Sequence, residues 1–271
     1  MNESTGPKIS IITPSYNSAS YIEKCLRSVI DQTYPNIEYI VMDGSSSDGT
    51  AEIVKKYGEK IKFISEKDKG QIDALRKGLN MATGEVITWL DSDNYYYSND
   101  VIEKVAKAFR ENPGVEIVLT DSLNHHEGSE RFQVRKTKKI SYELLRNSGN
   151  KFIPESIFYT KSLYEKAGGI NTDLLLLADY DLWIRLFRES RNYIKLPIIS
   201  AVYEVRAEAL LRKHFSRAWR ETFEIGRKYH RPLLYRIWSR VKFIKAWIRF
   251  QLVSLIRKNP AVYRFFVRLF K

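Results

Sequence analysis

An α/β fold on a mostly parallel sheet flanked by helices is predicted by three features of this 271-residue sequence. Short apolar runs alternate with stretches of helical spacing from Lys8 to Asp121, the pattern of βαβ units. The chain is 44% hydrophobic and 28% charged, so a packed core is expected and global disorder is excluded. Its net charge of +13 sits in one place. Ile225 to Lys271 holds 13 Lys+Arg and no acid, so the first 224 residues hold 32 of each sign (45 − 13 = 32 bases against 32 acids). A neutral α/β body with a basic helical extension is therefore expected, divided as 1–207 and 208–271.

"KISIIT" (8–13) reads as a buried strand. "ASYIEKCLRSVIDQ" (19–32) places Ile22, Leu26, Val29 and Ile30 on one helical face. "IEYIVMD" (37–43) is a second strand, and "DGTAEIVKKY" (48–57) a helix with Asp48 as N-cap. "IKFIS" (61–65), the helix "GQIDALRKGLNMA" (70–82) and the strand "EVITWLD" (85–91) follow. A helix over 98–112 and a strand over 115–121 continue the alternation. Beyond Ser122 the pattern loosens into a loop and edge strand (124–139), "ESIFYT" (155–160), a helix over 161–167, a helix over 174–190 and a strand over 195–205. Helices interrupted by Pro232 and Pro260 fill the rest. The single cysteine, Cys25, excludes an internal disulfide framework and fits a reducing compartment. The polar start, "MNESTGPK", contains no apolar signal-peptide region.

Open parallel sheets bind ligands outside the carboxyl ends of their strands. Here those ends read Thr13-Pro14-Ser15-Tyr16-Asn17, then Asp43-Gly44-Ser45, Glu66-Lys67-Asp68-Lys69-Gly70-Gln71 and Asp91-Ser92-Asp93-Asn94. All four are polar and would line one rim. No G-x-G-x-x-G and no phosphate loop ending in Gly-Lys-Ser/Thr is present, which disfavours dehydrogenases and P-loop enzymes. One Cys and four His match no zinc spacing.

"ISIITPSYN", "VMDGSSSDGT", "KGQIDALRKGLNMATGEVITWLDSD" and "ADYDLWIRL" resemble a family 2 inverting glycosyltransferase of GT-A fold, over roughly Lys8 to Tyr203. The resemblance implies that Asp91 and Asp93 hold Mn²⁺ or Mg²⁺ bridging the diphosphate of a nucleotide sugar, most often a UDP-sugar, with Ser92 between them. Hard cations suit such oxygen donors, and the metal neutralises the leaving diphosphate. It further implies a base-binding pocket of Thr13, Pro14, Tyr16, Asn17 and Asp43, with Lys69 and Asp73 near the nucleotide and Arg206 near phosphate. Relatives often have a further acid at the position of Asn94. "ADYDLW" matches the region that supplies the general base for an acceptor hydroxyl, and the position favours Asp179. Asp181 is the other candidate; two residues on, it lies about 200° around a helix. One of the two caps or pairs with Arg185 if it is not the base. Trp183 packs under the acceptor or in the core, and Tyr95 to Tyr97 contact the acceptor or pack.

Residues 234–258 carry an aliphatic face (Ile237, Val241, Ile244, Ile248, Leu252, Leu255) and aromatics interleaved with Lys and Arg. The aliphatic face suits a helix docked on the body with a solvated basic flank, while the interleaved aromatics and bases also describe an interfacial helix on an anionic membrane surface, which would place the protein peripherally on the inner face of the cytoplasmic membrane. That placement suits a saccharide or polyprenyl-linked acceptor in cell-surface polysaccharide or glycolipid synthesis. Nucleic acid is not expected, since no nucleic-acid module accompanies the charge. The alternative to an enzyme is a silent sugar-nucleotide-binding scaffold at the membrane.

Overall fold

The computed structural model describes residues 6–150, 153–205, 214–229 and 241. The chain divides into two compact units, Met1–Phe215 and Ser216–Lys271. The first contains a nine-stranded sheet. Its first half is a parallel layer in the order β3 (Lys62–Ser65), β2 (Ile37–Asp43), β1 (Ile9–Ser15), β4 (Val86–Trp89). Every residue of β1 is buried, as a strand with helices on both faces requires. Helices α1 (Ile22–Ile30), α2 (Thr50–Lys55), α3 (Gln71–Met81) and α4 (Val101–Glu111) supply the crossovers.

The second half departs from simple alternation. β8 (Ile157–Thr160) lies between β4 and β6 (Ile117–His126) and is antiparallel to both. β9 (Tyr193–Val205) runs parallel to β6, and the two-residue β5 (Tyr95–Tyr96) pairs antiparallel with β9. β7 (Phe132–Arg135) forms a hairpin with β6. Thus β3, β2, β1, β4, β6 and β9 point one way, and β8, β5 and β7 the other. The β6–β9 register shifts around Asp121, where Leu119 faces Lys195 but Asp121 faces Ile199. The extra residues of β9 include Pro197, which has no N–H for the ladder.

Several boundaries move. The strand expected to end at Asp121 continues to His126 and carries the edge hairpin. The helix expected over 174–190 is α7 (Ala178–Glu189). Leu174 is buried ahead of it, so the leucine run anchors a loop rather than extending the helix. Asp48 is not the N-cap. Gly49 occupies that position with φ +95°, and Asp48 accepts the Thr50 N–H from one residue further out (3.1 Å). The remaining helices are α5 (Tyr142–Ser148), α6 (Lys161–Lys166) and, among the described residues beyond β9, α8 (Phe215–Lys228).

One close approach fixes the parallel layer. A Cβ on Gly78 of α3 would lie 2.6 Å from Ile12 Cγ2 and 3.0 Å from Met42 Cγ. Glycine lets α3 settle against β1 and β2, which sets the height of Gln71 and Asp73 above the strand ends.

Candidate active site

The carboxyl ends of β1 and β2 are tied together by hydroxyl and carboxylate bonds. Asp43 is buried at the end of β2, and four donors converge on it: Ser15 Oγ (3.2 Å), Ser46 N (3.0 Å), Ser46 Oγ and Ser65 Oγ (2.6 Å). Asn17 adopts the left-handed region (φ 48°); its N–H donates to Ser46 Oγ (2.8 Å) and its Oδ1 accepts from Ser47 N (3.0 Å). Tyr16 stands 65% exposed on the rim. A Cβ on Gly44 would lie 2.6 Å from Asp68 Oδ2 and 3.2 Å from Tyr16 Cδ2, so glycine leaves room between those side chains.

Two expectations for this rim change. Thr13 is buried and its hydroxyl meets Tyr39 OH (3.1 Å) and Cys25 Sγ (3.8 Å); strand alternation turns it into the core, away from a nucleotide. Asp43 is already saturated as an acceptor, so it organises the loop, and a base reaching it must displace a serine donor. Pro14 is buried within β1. Asp73, near the start of α3, accepts from Lys69 N (3.2 Å) and pairs with Arg76 (3.0 Å) and Lys77 (3.6 Å). The Lys69 side chain is exposed.

Acids concentrate beyond β4. Asp91 Oδ1 accepts from Gln71 Nε2 (2.9 Å), and Ser92 Oγ meets Ser18 Oγ (3.0 Å). Burial pushes Asp91 well above the usual carboxylate range, and the charges of Glu155, Asp93 and Asp179 push it further. Four carboxyl groups therefore share one field. Such a site is costly to ionise unless a cation enters it.

Glu155, on the 3₁₀ turn Pro154–Ser156, is absent from the expected set and is central to the site. It is fully buried, and its Oε1 accepts from Asp91 N (3.2 Å) and Asn94 Nδ2 (2.5 Å). Burial raises it to about 7 against those bonds. Asn94 Oδ1 in turn accepts from Glu204 N of β9 (3.0 Å). An amide at position 94 is thereby explained: it donates to an acid and accepts from a backbone N–H, which a carboxylate cannot do. The available sequence signal for Glu155 was a lone acid inside the apolar stretch Ile153-Pro154-Glu155-Ser156-Ile157-Phe158. Tyr203 of β9 also belongs here; burial and then the charges of Glu155, Asp91 and Asp93 push its phenol up to about 12.

Asp179 lies in the first turn of α7, where its Oδ1 accepts from Tyr180 N (2.6 Å) and its Oδ2 from Asn150 Nδ2 (2.8 Å). Burial raises it to about 6 despite these bonds. Tyr180 OH donates to Leu145 O (2.6 Å), locking α7 to α5 and so to the chain leading to Asn150. Asp181 is fully buried and pairs with Arg185 (2.8 Å), whose guanidinium also donates to Ala167 O and Gly169 O. That pair secures the helix to the glycine turn after α6 and removes Asp181 from the acid cluster. Trp183 is core: it stacks on Trp89 (centroids 5.0 Å) and meets Tyr159 edge-on (5.9 Å). Tyr96 is buried against Phe158, Tyr95 lies under the Lys24 ammonium (3.4 Å), and Tyr97 is exposed. Arg206 falls outside the described residues.

The model for glycosyl transferase family 2 matches residues 10–167, more than half of the chain. The chain belongs to glycosyl transferase family 2. An uncharacterized glycosyltransferase of Rickettsia prowazekii is 30% identical over 199 residues, covering 71% of this chain and 63% of that protein. A PGL/p-HBAD biosynthesis glycosyltransferase of Mycobacterium bovis BCG is 29% identical over 185 residues, 67% of this chain and 70% of that one. This family 2 chain thus spans less than two thirds of the Rickettsia protein's length. S. aureus TarS 1–349 in complex with UDP-GlcNAc has the same fold, with TM-score 0.66 and 22% identity over 82% of this chain and 65% of that one. So does the mannosyltransferase PcManGT from Pyrobaculum calidifontis in complex with GDP-Man and Mn²⁺, with TM-score 0.61 and 23% identity over 83% and 64%. The fold is therefore of GT-A type.

Proposed function

We propose that the protein transfers a sugar from a nucleotide sugar, with a UDP-sugar favoured, to a saccharide hydroxyl, with inversion. The observation that carries this is the meeting of Asp91 and Asp93, from the end of β4, with Asp179, from the start of α7, in one electrostatically coupled cluster. The first pair suits a cation; the third is a carboxyl poised to take a proton. Complexes of TarS with UDP-GlcNAc and of PcManGT with GDP-Man and Mn²⁺ support a nucleotide-sugar donor.

Asp91 and Asp93 would hold Mn²⁺ or Mg²⁺. The fit rests on the concentration of acids: Asp91 is raised by burial and then by three neighbouring carboxyl groups, a charge excess that a divalent cation reduces. Among the described residues, no group of three or more His, Cys, Asp and Glu forms a ready-made metal cage. A hard cation that completes its shell with phosphate and water suits that sparse set. When bound, such an ion supplies charge neutralisation at a diphosphate. Gln71 and Glu155 hold Asp91 through its side chain and its N–H, so the acidic loop is ordered before ligand arrives.

Asp179 is the general base. Asn150 and the Tyr180 N–H fix its two oxygens, and a carboxyl near 6 is ionised at neutral pH yet basic enough to accept a hydroxyl proton as the acceptor oxygen attacks. The acceptor proton passes to Asp179, the glycosidic bond forms on one face, and the bond to the diphosphate breaks on the other. The basic C-terminal region, most of which lies outside the described residues, brings the enzyme to anionic lipid at the inner face of the cytoplasmic membrane. The test is a panel of UDP- and GDP-sugars with Mn²⁺, scored for nucleotide release with membrane extract as acceptor source. Release with a UDP-sugar that is lost in Asp179→Asn is the expected result. Failure to release nucleotide from any donor contradicts the reading.

A further inference from the structure

Five cations crowd the segment that leads from the sheet edge to Asp179. Arg131, Arg135, Lys136, Lys138 and Lys139 fall within nine residues that contain no acid. Among the described residues none of the five side chains forms an ion pair. Asp121, the acid beneath the segment, is taken by Lys195 (2.8 Å) and by Thr137 N (2.7 Å). The segment is also held still: Thr137 is buried and its hydroxyl donates to Thr120 O (2.6 Å). A row of cations without ion-pair partners, anchored at Thr137, attracts an anion.

Its direction points to the catalytic base. Side chains alternate along β7, so Gln133 and Arg135 share one face while Phe132 and Val134 share the other, and Arg131 stands just ahead of the strand. Phe132 stacks on His125 (centroids 4.6 Å) on that second face. Arg135, at the inner end and half-buried, draws the Asp179 carboxyl down against the effect of burial and acts on Tyr203 in the same sense. From Lys139 the chain enters α5, which is packed on α7 through Tyr180 and leads to Asn150, the partner of Asp179. At about 6.6 Å for every two residues of extended chain, the arginines at 135 and 131 can reach up to about 13 Å apart, enough to pass one sugar ring.

We propose that β7 and the residues after it form the acceptor track, and that the acceptor is a saccharide carrying an oxyanion, phosphate or carboxylate, near the hydroxyl that is glycosylated. Arg135 receives the anion nearest the reacting hydroxyl, and Arg131 a later one. Guanidinium groups bind both oxyanions through paired N–H donors. Arg135 also offsets the repulsion that the acid cluster would impose on such an acceptor. The proposal rests on Asp179 being the acceptor base.

Hydrogen exchange of the full-length protein tests it, with four probes: tetragalacturonate, maltotetraose 6-phosphate, neutral maltotetraose and vesicles of phosphatidylglycerol with phosphatidylcholine. One or both anionic saccharides should slow exchange over 131–139 by threefold or more; the stronger of the two identifies the oxyanion. Neutral maltotetraose should not. Arg131→Gln with Arg135→Gln should weaken the anionic probe by about tenfold or more, with its thermal midpoint unchanged. Equal protection by the neutral sugar, none by either anionic saccharide, or protection by vesicles alone overturns the proposal; the last would make the strand a lipid-binding surface. Mn²⁺-dependent protection of 43–49 and 91–94 by UDP, measured on the same wild-type sample, reports on the transferase reading separately.

Discussion

Two requirements meet at Asp179. Burial lifts its carboxyl to about 6, whereas the proposed role as general base needs the ionised form. A raised folded-state value means that this group favours folding below about pH 4, its ordinary range, and that the contribution is lost as pH rises through 6. Activity runs the other way. The pH profile of kcat/KM should show an acid limb near pH 6, falling tenfold per unit below it. Asp179→Asn should lower kcat by a factor of about 10² to 10⁴ while leaving Mn²⁺-dependent UDP binding intact. Steady-state kinetics beside calorimetry separates the two effects. Glu155 sets a different test. Glu155→Ala strands the Asp91 N–H and the Asn94 amide in a buried site, a loss of about 1–3 kcal/mol seen in the thermal midpoint. Glu155→Gln keeps an acceptor in place and should recover much of that loss.

At the scale of elements, the parallel half was legible because each strand reads as an apolar run ending in polar residues, and each helix shows its face within a dozen positions. Asp91 and Asp93 stand out in the sequence as acids closing an apolar run, whereas Asp179 is indicated by the family resemblance alone. The sequence pattern did not reveal the insertion of β8 between β4 and β6, since Val86 and Thr160 pair across 74 residues (160 − 86) and leave no local period. Glu155 was hidden for the same reason: its partners, Asp91 and Asn94, lie 64 and 61 residues away. Thr13 misled because a polar residue near a strand end was read as rim, whereas its hydroxyl is used by Tyr39 in the core. Two substitutions probe the framework. Gly78→Ala should cost about 1–3 kcal/mol, because its methyl group meets Ile12 and Met42 across the α3–sheet contact. Asp181→Ala leaves Arg185 buried without its carboxylate and should cost about 3–5 kcal/mol by denaturant unfolding.

Across the whole molecule, charge is partitioned by task. The body is neutral overall yet concentrates acids at the end of β4 and the start of α7 and cations on and just after the edge hairpin; the C-terminal 47 residues (225 to 271) hold bases and no acid. No helix among the described residues is long and apolar enough to cross a membrane. Flotation with anionic vesicles, abolished by raised salt and by removal of residues 230–271, is the outcome expected of a peripheral anchor. The central claim, however, is that Asp91 and Asp93 form a cation-dependent diphosphate site. Calorimetric titration of UDP into the wild-type protein and Asp93→Ala, each with Mn²⁺ and with EDTA, addresses it most directly. The account predicts binding by the wild type with Mn²⁺ and a loss of at least tenfold under the other three conditions. Equal UDP affinity in EDTA, or in Asp93→Ala with Mn²⁺, would contradict it.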